Sequence, residues 1–361
     1  MRAAKWWAPG DVRLDDVATP GVSRGELLLR VDNCSACGTD LKILRSGHPH
    51  MTGPQVMGHE VAGTVVEVGD DVDGWAVGDR VQVIAAVPCG TCDVCRAGRQ
   101  SVCPRQTSIG YQYAGGFAEF MVVPAAVLAV DGVNRVPDHV SSEEASLVEP
   151  LACVLNGQEL ARVGAGDRVL VIGSGPIGCM HVRLARARGA RQVILVDANA
   201  DRLARAAALV RPDLALAVEA GADGRQVVLD QVRAASGGLG VDVVITAAAS
   251  RPAQEQALAL LAPGGRLSLF GGLARDDSVI AIDSNLVHYR ELTIVGVNGS
   301  SPAHNREALR LIASGEVVVG DLITHRFPLD RLHEALEAIA SGEAIKVTIE
   351  PRRDDRPTTH D

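Results

Sequence analysis

Lysine is nearly missing from this chain. Of its 35 basic residues only Lys5, Lys42 and Lys346 are lysines; the rest are arginines, scattered without a basic block. Acidic residues number 44, and the net charge of −9 argues against a nucleic-acid partner. Aromatic residues are few, at four Phe, three Tyr and three Trp, so a strongly aromatic pocket is not favoured. No run reaches the ~18 uninterrupted apolar residues of a membrane-spanning helix. The N-terminus, MRAAKWWAPGDVRLDD, lacks the apolar segment of a secretory signal and soon turns acidic. These absences point to a cytoplasmic protein with no membrane partner. In that compartment disulfides are rare, and clustered cysteines more often bind metal.

What is present suits large buried cores. Hydrophobic residues make up 47% of 361 positions, enough for about two domains at ~150 residues each. Up to about residue 150, short strand-like runs such as ELLLRV (26–31), VAGTVVEV (61–68) and RVQVIAAV (80–87) are broken by Gly and Pro. Beyond it, strand-like runs alternate with Ala- and Leu-rich helical stretches. RVLVIG (168–173), QVILVD (192–197), VDVVIT (241–246), RLSLFG (266–271) and LTIVGV (292–297) read as strands of a parallel sheet with helices on both faces. The tail carries two amphipathic stretches, about 303–314 and 330–341, then a strand, AIKVTIE (344–350), and a polar end expected to fray. The expected division is a β-rich domain over 1–152, an α/β domain over 153–298, and a tail over 299–361 that returns to the first domain.

GSGPIG (173–178) fits G-x-G-x-x-G, and it follows an expected strand and opens an expected helix. Gly173 would make the tight turn and Gly175 would admit a pyrophosphate. Pro176 and Ile177 open the helix, and Gly178 lets helix and strand pack closely. Asp197 ends the next strand, where a carboxylate accepts hydrogen bonds from ribose hydroxyls and repels a 2′-phosphate. That favours NAD; Arg202, close by, leaves room for NADP.

Four of the eight cysteines fall within CGTCDVCRAGRQSVC (89–103). Cys89, Cys92, Cys95 and Cys103 are spaced so that one knuckle can wrap a tetrahedral ion. Four thiolates complete the coordination of zinc and leave no open position, so such a site is structural. An iron–sulfur cluster is the alternative taking the same ligands. An open site needs other residues. CGTD (37–40) and GHE (58–60) supply Cys37, His59 and Glu60, and VEPLAC (148–153) adds Glu149 and, less favoured, Cys153. Three protein ligands plus water or substrate is the catalytic arrangement. Asp40 would orient His59. Cys34 and Cys179 read as core.

GHEVAGTVVEVG (58–69) followed by GDRV (78–81), the four-cysteine lobe (88–104) and the later GSGPIG together resemble the zinc-dependent medium-chain dehydrogenase/reductase family, the alcohol and polyol dehydrogenases. The resemblance spans nearly the whole chain. It implies an α/β protein, with a GroES-like β-rich catalytic domain, a Rossmann doubly wound parallel sheet, and an active site in the cleft between them. It makes Cys37 and His59 ligands of a catalytic zinc, and leaves open whether Glu60 or Glu149 is the resting third ligand. It makes the four-cysteine lobe a structural zinc site. Thr39 matches the family's proton-relay hydroxyl, and His48 or His50 in GHPH would finish the relay. EPLACVLNG and CGTD resemble the sorbitol and threonine dehydrogenase side of the family.

The expected activity is therefore NAD-dependent oxidation of a secondary alcohol (polyol, sugar alcohol or cyclitol) to a ketone. The alternatives are an L-threonine, amino-alcohol or aminocyclitol dehydrogenase, or a zinc-binding member of the fold without catalysis. A homodimer or homotetramer is expected, with LTIVGV (292–297) as a candidate edge strand.

Overall fold

The computed structural model describes residues 1–219 and 221–352, so most of the polar C-terminal end lies outside the described residues. Two compact units emerge. Of the described residues, one contains 1–149, 300–313 and those from 323 onward; the other contains those within 150–299 and 314–322. The division falls inside the helix Val148–Leu160, just after Glu149.

The first unit is built on a seven-stranded sheet. Its path runs through Val133–Arg135, Arg80–Val83, Glu60–Val68, Leu27–Ala36, Lys346–Glu350 and Ile323–Pro328, with Phe120–Val123 also paired to Leu27–Ala36. Alternation along Leu27–Ala36 buries Leu27, Leu29 and Val31 in the same core as Val61, Val65, Val81 and Phe117. Each such side chain contributes roughly 1.5–3 kcal/mol when fully buried. The tail strand Lys346–Glu350 pairs antiparallel with Leu27–Ala36, setting Thr348 opposite Ser35. On the other side of Leu27–Ala36, Ser35 faces Glu60. Residues almost 300 positions apart thus share one end of the sheet.

The second unit is a six-stranded parallel sheet. Its order is Leu214–Ala217, Gln192–Asp197, Arg168–Ile172, Val241–Thr246, Leu261–Leu269 and Thr293–Gly296. The strand order reverses beside Arg168–Ile172, which is where such sheets bind ligands. Strands buried on both faces need continuous apolar runs, and Val169, Leu170, Val171, Val193, Ile194 and Leu195 are all fully buried.

Some elements differ from the sequence reading. The strand expected at 266–271 starts earlier, at Leu261, and the helix before it ends at Leu260. Leu214–Ala217 is a strand although its Leu/Ala composition suggests helix, because pairing with Ile194–Asp197 overrides propensity. The β-rich unit also contains a nine-residue helix, Gly38–Ser46, whose start carries the candidate chemistry.

Candidate metal centres and dinucleotide site

The helix Gly38–Ser46 explains the CGTD motif. Cys37 is its N-cap: Thr39 N donates to Cys37 Sγ at 3.3 Å, and Cys37 N donates to Asp40 Oδ2 at 2.9 Å. This is a capping box, with thiol and carboxylate in the places usually held by Ser/Thr and Glu. It fixes Cys37 and buries Asp40. The other oxygen of Asp40 lies 3.5 Å from His59 Nδ1. His59 Nε2 in turn lies 3.4 Å from Cys37 Sγ.

Those distances suit a shared ion. Zinc bonds of ~2.3 Å to sulfur and ~2.0 Å to nitrogen set a tetrahedral S···N edge of roughly 3.5 Å. Cys37, His59 and Glu60 each offer a ligand atom, all within 4.8 Å of one another. The local charge agrees. Burial, then the charge of Asp40, push the Cys37 thiol up. His59 is raised well above the ordinary histidine range: burial works against this, but Cys37 and Asp40 outweigh it. The His59 shift marks the negative charge of Cys37 and Asp40 around it, which a divalent cation would offset.

Glu149 lies outside that group of three. It is buried in the first turn of the helix Val148–Leu160, and its charge reaches Tyr111. Thr39 is exposed beside Cys37. His48 packs edge-on against Tyr111 at 4.7 Å, and the Tyr111 ring is 6.0 Å from that of His59. Tyr111 is not among the site residues named from the sequence; its position between two histidines depends on a long-range fold. Burial raises its hydroxyl pKa, so it stays a protonated donor. His48 is shifted down by burial and by His50, and is therefore neutral near pH 7.

Lys346 was not singled out in the sequence at all. Its Nζ donates to Glu60 Oε2, and both side chains are almost fully buried, at 1% and 2% exposure. Burial would lower the pKa of this ammonium, but Glu60 and Cys37 hold it above the usual lysine value.

The second cluster is a self-contained lobe. Four of the sulfur pairs among Cys89, Cys92, Cys95 and Cys103 lie between 3.5 and 3.9 Å apart. A tetrahedral ion with ~2.3 Å bonds places its sulfurs roughly 3.8 Å apart. A disulfide would need ~2.0 Å, and none links any of the described cysteines. An iron–sulfur cluster, being larger than one ion, would hold the sulfurs farther apart. The lobe therefore fits a single closed ion. Backbone hydrogen bonding at Thr91 lowers Cys89 to about 5, and the Cys95 amide lowers Cys92, whereas burial raises Cys95 to about 12. Amides thus favour the thiolate at two of the four sulfurs, and burial disfavours it at Cys95. Cys95→Ser is expected to lose this ion and to melt at a lower temperature, read by zinc content and calorimetry together. Unchanged zinc and melting would contradict the assignment.

In the second unit, GSGPIG links Arg168–Ile172 to the helix Pro176–Ala187. Gly173 has φ +110°, a region that favours glycine, and a Cβ on Gly178 would sit 1.8 Å from Gly173 O. At Gly175, the N-cap, a Cβ would meet nothing within 4 Å, so open space faces the helix start, where Pro176 and Ile177 follow. That suits an anion at the helix N-terminus. Asp197 ends the strand Gln192–Asp197, as expected, and there it already has partners. Its carboxylate accepts from Ser174 N at 2.6 Å, Ser174 Oγ at 2.8 Å and Asn199 N at 2.8 Å. Arg202 donates to both of its oxygens at 2.9 Å. It is thus an engaged acceptor with its charge matched, not a free one. These amides and Arg202 lower its pKa despite burial. Cys34 and Cys179 are buried, as core cysteines.

Two family models match the chain. "Alcohol dehydrogenase GroES-like domain" matches residues 23–132, and "Zinc-binding dehydrogenase" matches 176–314. A sorbitol dehydrogenase of Bombyx mori is 33% identical, covering 96% of this chain and 97% of that one. An L-threonine 3-dehydrogenase of Bacillus subtilis (strain 168) is 34% identical, covering 94% of each. Among solved structures, a protein described as a zinc-binding dehydrogenase from Sinorhizobium meliloti 1021, bound to NADP, aligns with a TM-score of 0.87 and 31% identity. That alignment covers 97% of this chain and 99% of the other.

Proposed function

We propose, because this chain belongs to the zinc-type medium-chain alcohol and polyol dehydrogenase family, that it transfers hydride between a secondary alcohol and NAD, giving a ketone. The substrate class proposed is a polyol, sugar alcohol or cyclitol. The observation that carries this reading is the trio Cys37, His59 and Glu60, whose ligand atoms lie within 4.8 Å of one another. Three donors leave a coordination position for substrate, which the four-cysteine lobe does not.

Cys37, His59 and Glu60 would hold a zinc ion, which would supply Lewis-acid polarisation of the alcohol oxygen, and a bound nicotinamide would supply the hydride acceptor. The chain's residues do the rest. Asp40 fixes the orientation of His59. Thr39 takes the hydroxyl proton. Neutral His48, beside Tyr111, passes it to solvent. The open helix start at Gly175 holds the pyrophosphate, and Asp197 with Arg202 reads the adenosine ribose. The proposed assembly is a homodimer or homotetramer through Thr293–Gly296, the last strand of the parallel sheet. No described helix is long and apolar enough to cross a membrane. The cytoplasm is the proposed compartment, which suits clustered cysteines without disulfides.

The second reading, an L-threonine or amino-alcohol dehydrogenase, draws on the L-threonine 3-dehydrogenases among the relatives. Following NADH formation across polyols, cyclitols, threonine and simple alcohols separates the two. Turnover confined to threonine would keep the chemistry and replace the substrate. No turnover with any of them would overturn the reading.

A further inference from the structure

Four thiolates outnumber the charge of one divalent ion, so the filled four-cysteine lobe would be an anion. Backbone amides answer part of that charge. Cys89 N and Arg105 N each donate to Cys103 Sγ at 3.4 Å, and Cys95 N donates to Cys92 Sγ at 3.5 Å. Amides bring dipoles and no net charge. A cation answers the rest, and the chain supplies one where it leaves the lobe.

Cys103, Pro104, Arg105 and Gln106 form a β-turn closed by Gln106 N on Cys103 O at 3.1 Å, with proline at the position whose φ it presets. From this turn the Arg105 side chain reaches across the lobe, and its Nη2 donates to Thr91 Oγ1 at 2.8 Å. Thr91 follows Gly90, whose φ of +71° makes the tight bend after Cys89. The Thr91 hydroxyl donates in turn to Cys89 Sγ at 3.8 Å. Guanidinium, hydroxyl and sulfur thus stand in one hydrogen-bonded chain, in which each donor polarises the next. It straps the exit of the lobe to its first cysteine. Arg96, on the same lobe, is turned to Asp93 at 3.5 Å.

We propose that Arg105 is a positioning residue for the four-sulfur centre. Through Thr91 it holds the Cys89 sulfur in place and offsets the excess negative charge, so that the lobe keeps its ion. The inference rests on the metal assignment of the lobe and not on the alcohol chemistry, so it stands whichever substrate is turned over.

Zinc release to a chromogenic chelator tests it, with the phase absent from Cys95→Ser assigned to the lobe. Arg105→Met is expected to speed that phase about fivefold or more, less than a buried outer partner would give, because the strap is exposed to solvent. Raising the salt should narrow the gap from the parent. Thr91→Val, which cuts the chain in its middle, should also speed release. Arg105→Lys, which keeps the charge, should lie closer to the parent. Arg96→Met removes an equal charge whose partner is Asp93, and should release at the parental rate. A second readout separates the charge from the turn. With cobalt bound in the Cys37→Ser background, Arg105→Met should move the thiolate-to-metal charge-transfer band to longer wavelength, because an unbraced thiolate gives up its electrons more readily. A loosened fold would weaken the band without moving it.

Arg105→Met releasing zinc at the parental rate overturns the proposal, as does an unmoved band. Arg96→Met accelerating release as much as Arg105→Met also overturns it, since net charge alone would then be the cause. Should Arg105→Met fail to fold, Arg105→Gln, which keeps a donor for Thr91 without the charge, decides by the same two readouts. If the parent shows no Cys95-dependent phase, the metal assignment of the lobe fails and the strap with it.

Discussion

Cys37→Ser is expected to lower alcohol turnover about a thousandfold or more while melting close to the parent temperature. Loss of several kcal/mol of charge stabilisation at the reacting oxygen corresponds to roughly that factor. The fold should survive because serine is itself a favoured N-cap. Its hydroxyl can accept from Thr39 N as the thiol does, and Asp40 can still accept from the residue 37 amide. Serine is a poor replacement for a thiolate as a zinc ligand, so capping is kept and coordination lost. Steady-state kinetics and thermal melting on the same preparation check both halves. Near-parental turnover would remove Cys37 from the chemistry.

Asp197→Ala is expected to raise the KM for NAD about tenfold or more, and that for NADP much less. Hydrogen bonds to a charged group contribute about 1.5–3 kcal/mol, which spans that factor. The pairing with Arg202 sharpens the expectation. Removing the carboxylate frees a guanidinium that suits a 2′-phosphate, whereas Arg202→Ala frees the carboxylate and should move preference further toward NAD. The two variants should therefore shift the NAD/NADP ratio in opposite directions. Equal effects on both cofactors would mean that Asp197 serves only to hold Ser174 in the turn after Gly173.

The parts of this site legible in the sequence are those whose geometry is local. Four cysteines within fifteen positions must lie close together, whatever the rest of the chain does. The Gly173–Gly178 motif carries its own strand and helix. Cys37 and His59 were legible as candidate ligands by residue type and by resemblance, but not as neighbours, because a strand reversal brings them together. The capping box at Cys37 had a readable signal, a capping thiol followed three residues later by Asp40, but a nine-residue helix in a β-rich stretch shows little periodicity.

Lys346 and Tyr111 had no such signal. The bond from Lys346 to Glu60 spans 286 positions and depends on the tail strand returning to the first sheet. Tyr111 gains its meaning from rings supplied by two other segments. Asp197 was legible as a residue at a strand end, but not as a carboxylate already engaged by Ser174, Asn199 and Arg202.

Cys89, Cys92, Cys95 and Cys103 could close around one metal ion, and Cys37, His59 and Glu60 could hold a second with a position left open. Zinc content per folded chain, measured by native mass spectrometry on the parent, Cys37→Ser and Cys95→Ser, tests this central claim most directly. The account expects two zinc ions in the parent and one in each variant, with Cys37→Ser folded and inactive. A parent holding a single ion that Cys37→Ser retains would contradict it.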